Sequence, residues 1–177
     1  FKTVTPVTSV AAFMETPSNI NTALGIDSSI DIEIFDPVAN KGDGGIYDYL
    51  YEKGNQLTTL VLALNNITKS LNTTNSTLDH FKIISEEIDK AYDSTKTKID
   101  IEAESFITSV LDNSITANNL TTLSDTNKQN VITALKGVMP IIQIKSSTDS
   151  TTSINRFAFS TFQTDISSLA DGTATDA

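Results

Sequence analysis

The 177-residue sequence contains no cysteine, which excludes disulfides, thiolate metal sites and cysteine nucleophiles. It contains one histidine, His80, so a two-histidine metal site is impossible and a Ser-His-Asp triad would have to use that residue. No motif supplies His80 with a nucleophile and an orienting acid. Its place beside Asp79, at the start of a helical stretch, predicts an exposed side chain whose replacement by alanine changes little. Arginine occurs once, at Arg156, and 12 basic residues face 22 acidic ones, for a formal net charge of −10. A field of that sign repels phosphate backbones and anionic lipid, which argues against nucleic acid and acidic membranes as partners. No apolar run approaches the roughly 20 residues that cross a bilayer, so no transmembrane segment is expected.

What is present is modest. Hydrophobic residues make up 38%, enough for a core, and a chain of this length buries about 70% of its unfolded surface without staples. The length suits one domain, or one domain with a tail. Serine, threonine and asparagine are abundant, and an acidic, Thr/Asn-rich, Cys-free, Arg-poor composition is common in bacterial extracellular proteins. The chain opens on Phe1 rather than Met, as a processed chain or an excised module would, and lacks the basic-then-apolar start of a signal peptide. Asn-X-Ser/Thr sequons stand at Asn66, Asn72, Asn75 and Asn119; they are glycan acceptors in a eukaryotic secretory protein and chance matches in a chain of this composition.

Periodicity organises the rest. Residues 1–45 read as an extended and irregular section with two short helices. Phe1 to Thr5 is extended, and Pro6 opens a helix whose stripe is Val7, Val10, Ala11 and Met14. Ser18 is placed to cap a second helix that stops at Gly25. Ile30, Ile32 and Ile34 alternate with Asp31 and Glu33, predicting an extended connection draped over a helical core. From Ile46 to Leu71 a stripe of Leu50, Leu57, Leu60, Val61, Leu64 and Ile67 predicts a helix, interrupted by Gly54. A longer helix is expected from Ser76 or Thr77 through Val110, with a charged outer face. Another is expected from Asp125 to Met139, ending before Pro140, with residues 140–144 extended. A Ser/Thr-rich loop should follow over 145–153. The last helix uses Phe159, Phe162, Ile166 and Leu169. The expectation is an all-α helical bundle over 46–170, with 1–45 packed on it and 171–177 as a flexible tail or linker.

Candidate chemistry is sparse. Asp27, Asp31, Asp36 and Asp43, with Asp48 nearby, cluster around glycines, and calcium takes oxygens from acidic loops. The spacing does not match an EF-hand, so turn chemistry is the plainer role, and no other cofactor is expected. Tyr47, Tyr49 and Tyr51 could contact a glycan or a protein, or could pack at the edge of the core. Asp89 with Asp93, and Asp100 with Glu104, lie one turn apart but mix with lysines as a solvated face would. Gly42-Asp43-Gly44-Gly45 lacks the Lys-Ser/Thr ending of a phosphate loop.

Thr3-Val-Thr-Pro-Val-Thr-Ser-Val10 resembles the "V-T-P-L-T-T-L" stretch of large, repetitive bacterial surface proteins of the adhesin type. Asn21-Thr-Ala-Leu-Gly-Ile26 is similar to their "A-L-G-L" helix end, and Ile30-Asp-Ile-Glu-Ile-Phe-Asp-Pro-Val-Ala39 to their "V-D-L…D-P-L-A". The resemblance covers residues 3–70, with Val7, Ser9 and Val10 departing from the commoner Leu, Thr and Leu. It implies a helical module at an extracellular cell surface and gives no catalytic residues to carry over. The reading is a non-enzymatic structural module (spacer, anchor or adhesion-related scaffold). Its partners would be neighbouring domains or identical subunits, or a surface glycan or protein. The alternatives are a subunit of a self-assembling filament or layer, with Phe1 to Thr5 pairing onto a neighbour, and a glycan- or protein-binding module.

Overall fold

The computed structural model describes residues 3–37, 39–40, 45–71, 77–120, 123–146, 162 and 164–174. Helices α1 (Pro6–Ala11), α2 (Asn19–Leu24), α3 (Ile46–Leu71), α4 (Thr77–Thr95), α5 (Glu104–Ala117) and α6 (Asp125–Ser146) follow in order, then α7 over 164–171. No strand occurs among the described residues. The fold is an all-α bundle, as the periodicity predicts. Helix α3 is its hub, packing against α1, α4 and α6, while α4 packs on α1 and α5, and α5 on α6. Leu57, Leu60, Leu64 and Ile67 of α3 are fully buried, and one connected core runs from Val7 of α1 to Ala170 of α7.

The short helices hold through their ends. Thr5 has extended backbone, and its hydroxyl accepts the Thr8 N–H at 3.1 Å while the Thr8 hydroxyl accepts the Thr5 N–H at 2.8 Å. This reciprocal box, with Pro6 in the first turn, satisfies donors that a six-residue helix would otherwise leave open. Gly25 ends α2 at φ 71°, where the Gly25 and Ile26 N–H groups return to the Thr22 and Asn21 carbonyls at 3.1 and 2.7 Å. Ser18 makes no side-chain cap. The turn before it already places the Asn19 and Ile20 N–H groups on the Thr16 and Pro17 carbonyls.

Three expectations are corrected. The first is the extended reading of 30–34. The chain turns instead, with Ile30 N–H on the Asp27 carbonyl and Ile34 N–H on that of Asp31. The Asp27 and Asp31 carboxylates capture the N–H groups two residues on, at 2.8 and 3.0 Å, and this local bonding outcompetes extension. Asn21 of α2 pins the segment through its amide, 2.7 Å from the Ile30 carbonyl. Ile32 is buried, but Ile34 faces solvent.

The second is the single long helix. It breaks after Thr95, where Lys96 takes φ 54°. The loop that follows donates the Ile99 N–H to the Ala23 carbonyl of α2 at 2.8 Å and buries Ile101. The apolar rhythm runs through the break because Ile99, on the rim, and Ile101 still pack on the core. The third is α6, which continues through Pro140 to Ser146. Proline removes the bond to the carbonyl four residues back, while Leu135 and Met139, both fully buried, hold the preceding turns.

Two glycines give opposite predictions. A Cβ on Gly137, inside α6, would meet nothing within 4 Å, so Gly137→Ala should raise stability by about 0.5–1 kcal/mol through helix propensity. A Cβ on Gly25 would lie 2.6 Å from Lys98 Cδ, on a backbone at φ 71°. Gly25→Ala should cost about 1–2 kcal/mol. Urea denaturation of both variants checks the pair.

Candidate functional site

The most concentrated polar chemistry lies where α2, α3 and the α4–α5 loop meet. Helix α3 contributes Tyr49, Glu52, Lys53 and Gln56, and the loop contributes Lys98 and Glu102. Glu52, Lys53 and Gln56 are all buried. Lys53 Nζ donates to Gln56 Oε1 at 2.8 Å and lies 3.2 Å from Glu52 Oε1 and 3.8 Å from Glu102 Oε1. Gln56 Nε2 donates to Glu102 Oε1 at 2.6 Å. The Lys53 and Lys98 ammonium groups lie 5.4 and 5.6 Å from the centre of the Tyr49 ring, within cation–π range. The Tyr49 hydroxyl donates to the Leu24 carbonyl at 2.6 Å. Glu52 Oε1 is enclosed and accepts no hydrogen bond, so its contact with Lys53 is an ion contact without hydrogen-bond alignment. The charges are tolerated because they are paired.

Sequence reasoning passed over this cluster, reading charge as a solvated face. A signal was present. Lys53 and Gln56 stand one turn before Leu57 and Leu60, so two polar residues sit on the apolar stripe of α3.

The three tyrosines do not form one surface. All are half-buried. Tyr47 packs its ring 5.0 Å from that of Phe35, Tyr49 belongs to the cluster, and Tyr51 lines a groove near Pro6 and Pro37. The aspartates are likewise apart in role. Asp27 accepts from the Ser29 N–H and hydroxyl, Asp31 from the Glu33 N–H, and Asp36 from the Ala39 N–H at 2.9 Å. The Ser29 N–H first, and its hydroxyl second, hold the Asp27 carboxyl below its usual range. Asp43 lies outside the described residues, and among those described no three acidic or histidine side chains converge on a metal-sized space. Of the paired acids, Asp89 accepts the Glu15 N–H, Asp93 pairs with Lys96, Asp100 accepts the Glu102 N–H and Glu104 pairs with Lys136.

His80 is a correction. It is fully buried, not exposed. Its Nε2 lies 3.2 Å from the Thr68 hydroxyl of α3, whose own hydrogen is directed to the Leu64 or Asn65 carbonyl at 2.9 and 3.1 Å. The oxygen is then the acceptor, so Nε2 carries the proton and Nδ1 is bare. Nδ1 is enclosed without a partner. Burial pushes the imidazole below its ordinary pKa, with adjacent Asp79 opposing. The α3–α4 packing, which no single-helix pattern shows, accounts for the difference.

A groove of about 440 Å³ also lies between the end of α4 and the start of α5, floored by Ala91, Ile99 and Phe106. No family model, curated protein or solved structure matches the chain.

Proposed function

We propose that the chain is a non-enzymatic structural module of an extracellular bacterial surface protein, working as a spacer, anchor or adhesion-related scaffold. The observation that carries this reading is where the described candidate side chains direct their bonds. Asp27, Asp31, Asp36 and Tyr49 bond to the chain's own backbone, closing turns and tying α2 to α3. The adhesin-like motifs over residues 3–70 support it. Their prolines, Gly25 and Asp36-Pro37 serve turns and helix ends. The experiment is labelling of intact cells with an antibody to this chain, followed by the intact mass of the polypeptide released by surface proteolysis. Surface labelling with a native mass far above 19.1 kDa fits a module of a longer chain. Confinement to the cytoplasmic fraction would overturn the reading.

A second reading, a self-assembling subunit, is favoured by the N-terminal edge. Val4 is 86% exposed and Ile34 56%, beside the point where the Thr3 N–H meets the Glu33 carbonyl at 2.9 Å. Two exposed apolar side chains, Val4 beside the extended backbone of Thr5 and Ile34 in its turn, suit contact with a second copy. Val4→Lys combined with Ile34→Lys should then abolish concentration-dependent assembly in sedimentation velocity. A wild-type chain that stays monomeric at every concentration would remove this reading.

A further inference from the structure

The buried Lys53–Gln56 contact has more than an ion cluster needs. Side chains three residues apart on a helix meet over one turn, and here one ends in an amine and the other in a carboxamide. The Lys53 nitrogen is already hydrogen-bonded to the amide oxygen of Gln56, at 2.8 Å. A carboxylate oxygen with no hydrogen bond of its own, Glu52 Oε1, stands 3.2 Å from the amine. A second carboxylate, that of Glu102, stands 2.6 Å from the amide nitrogen. Gln56 is wholly enclosed and Lys53 nearly so, so water competes poorly. A nucleophile, its base, an electrophile and a proton relay at the departing group are therefore held together.

We propose that Lys53 and Gln56 join through a side-chain amide, formed by the folded protein itself with loss of ammonia. Glu52 takes one proton from the Lys53 ammonium, giving the neutral amine. The amine nitrogen attacks Gln56 Cδ and forms the new C–N bond. The Cδ–Nε2 bond breaks, and the departing nitrogen takes up a second Lys53 proton, relayed through Glu102, to leave as ammonia. No oxidant, cofactor or external reagent enters, and the third Lys53 proton stays on the new amide. The enclosed ion pair of Glu52 and Lys53 becomes a neutral acid and a neutral amide, while Glu102, whose side chain is 22% exposed, keeps its charge with access to water. Proximity drives the step, since the two groups are presented as one reacting pair, with positioned carboxylates moving the protons.

The test is the intact mass of the purified wild-type chain, followed by trypsin digestion and peptide sequencing by mass spectrometry. The expected result is a mass lower by one ammonia, no tryptic cut after Lys53, and fragment ions that keep residues 53 and 56 linked. Gln56→Leu is similar in size but offers no carbonyl carbon to attack, and should show its full mass and a cut after Lys53. Glu102→Gln should slow the loss strongly. A wild-type chain of full mass that is cleaved normally after Lys53 overturns the proposal. So does an ammonia loss that maps to an asparagine, as a succinimide would give.

Discussion

Leu57→Ala should lower stability by about 2–5 kcal/mol, and Leu62→Ala, five residues further along the same helix, by only about 1 kcal/mol. Leu57 is fully buried in the middle of α3, the helix against which α1, α4 and α6 all pack. Removing its side chain from the hub helix leaves a cavity in the core that the surroundings close only in part. Leu62 is half-buried and lies off the stripe of Leu57, Leu60, Leu64 and Ile67, so its loss forfeits part of a transfer term and creates no enclosed void. For a chain of this size each kcal/mol shifts Tm by roughly 2–4 °C, so the Leu57 variant should melt roughly 4–20 °C lower. Calorimetry of both variants measures the contrast. Equal losses at the two positions would mean that α3 is not the centre of the core.

The same helix shows what the sequence made legible. The stripe of α3 repeats every three or four residues over 26 residues, and no local feature competes with that period. Gly25 and Pro6 were readable because each answers a backbone demand at a helix end. The α4–α5 break was not readable. Its cause is a main-chain bond from Ile99 to Ala23 and the burial of Ile101, both long-range, while the apolar period passes through the loop unchanged. The turns at Asp27 and Asp31 were hidden for the opposite reason. Alternating isoleucines spell a strand, but two short carboxylates bond locally and win. The polar cluster was missed because Lys53 and Glu102 belong to residue types that usually face water. What marks the place is position: Lys53 and Gln56 both fall on the apolar stripe of α3.

Stability should fall as pH drops below about 6.5, and His80→Leu should remove that fall. His80 is the only histidine, so no other side chain of ordinary pKa titrates between pH 5 and 7. In the fold the ring is neutral, with Nε2–H on Thr68 and Nδ1 enclosed without a partner. Protonating Nδ1 would place a charge in the core with nothing to accept its hydrogen bond. Burial therefore holds the folded pKa below the ordinary 6.5, against the smaller pull of Asp79. The unfolded chain takes up its proton near pH 6.5, and the folded chain does so only at lower pH. Between those values the unfolded state binds more protons, so each unit of falling pH weakens the fold by up to about 1.4 kcal/mol. Below the folded value the dependence flattens. Exposed Asp27, Glu104 and Asp171 do not confuse the window. Their carboxyls are held low by Ser29, Lys136 and Thr173, so what they contribute is lost only as pH falls below the ordinary carboxylate range. Leucine fills the site without a titrating nitrogen, and denaturation midpoints of His80→Leu should be flat from pH 7 to 5. A wild-type slope that survives in His80→Leu would mean that another group carries the acid sensitivity and that His80 takes up its proton as readily in the folded chain as in the unfolded one.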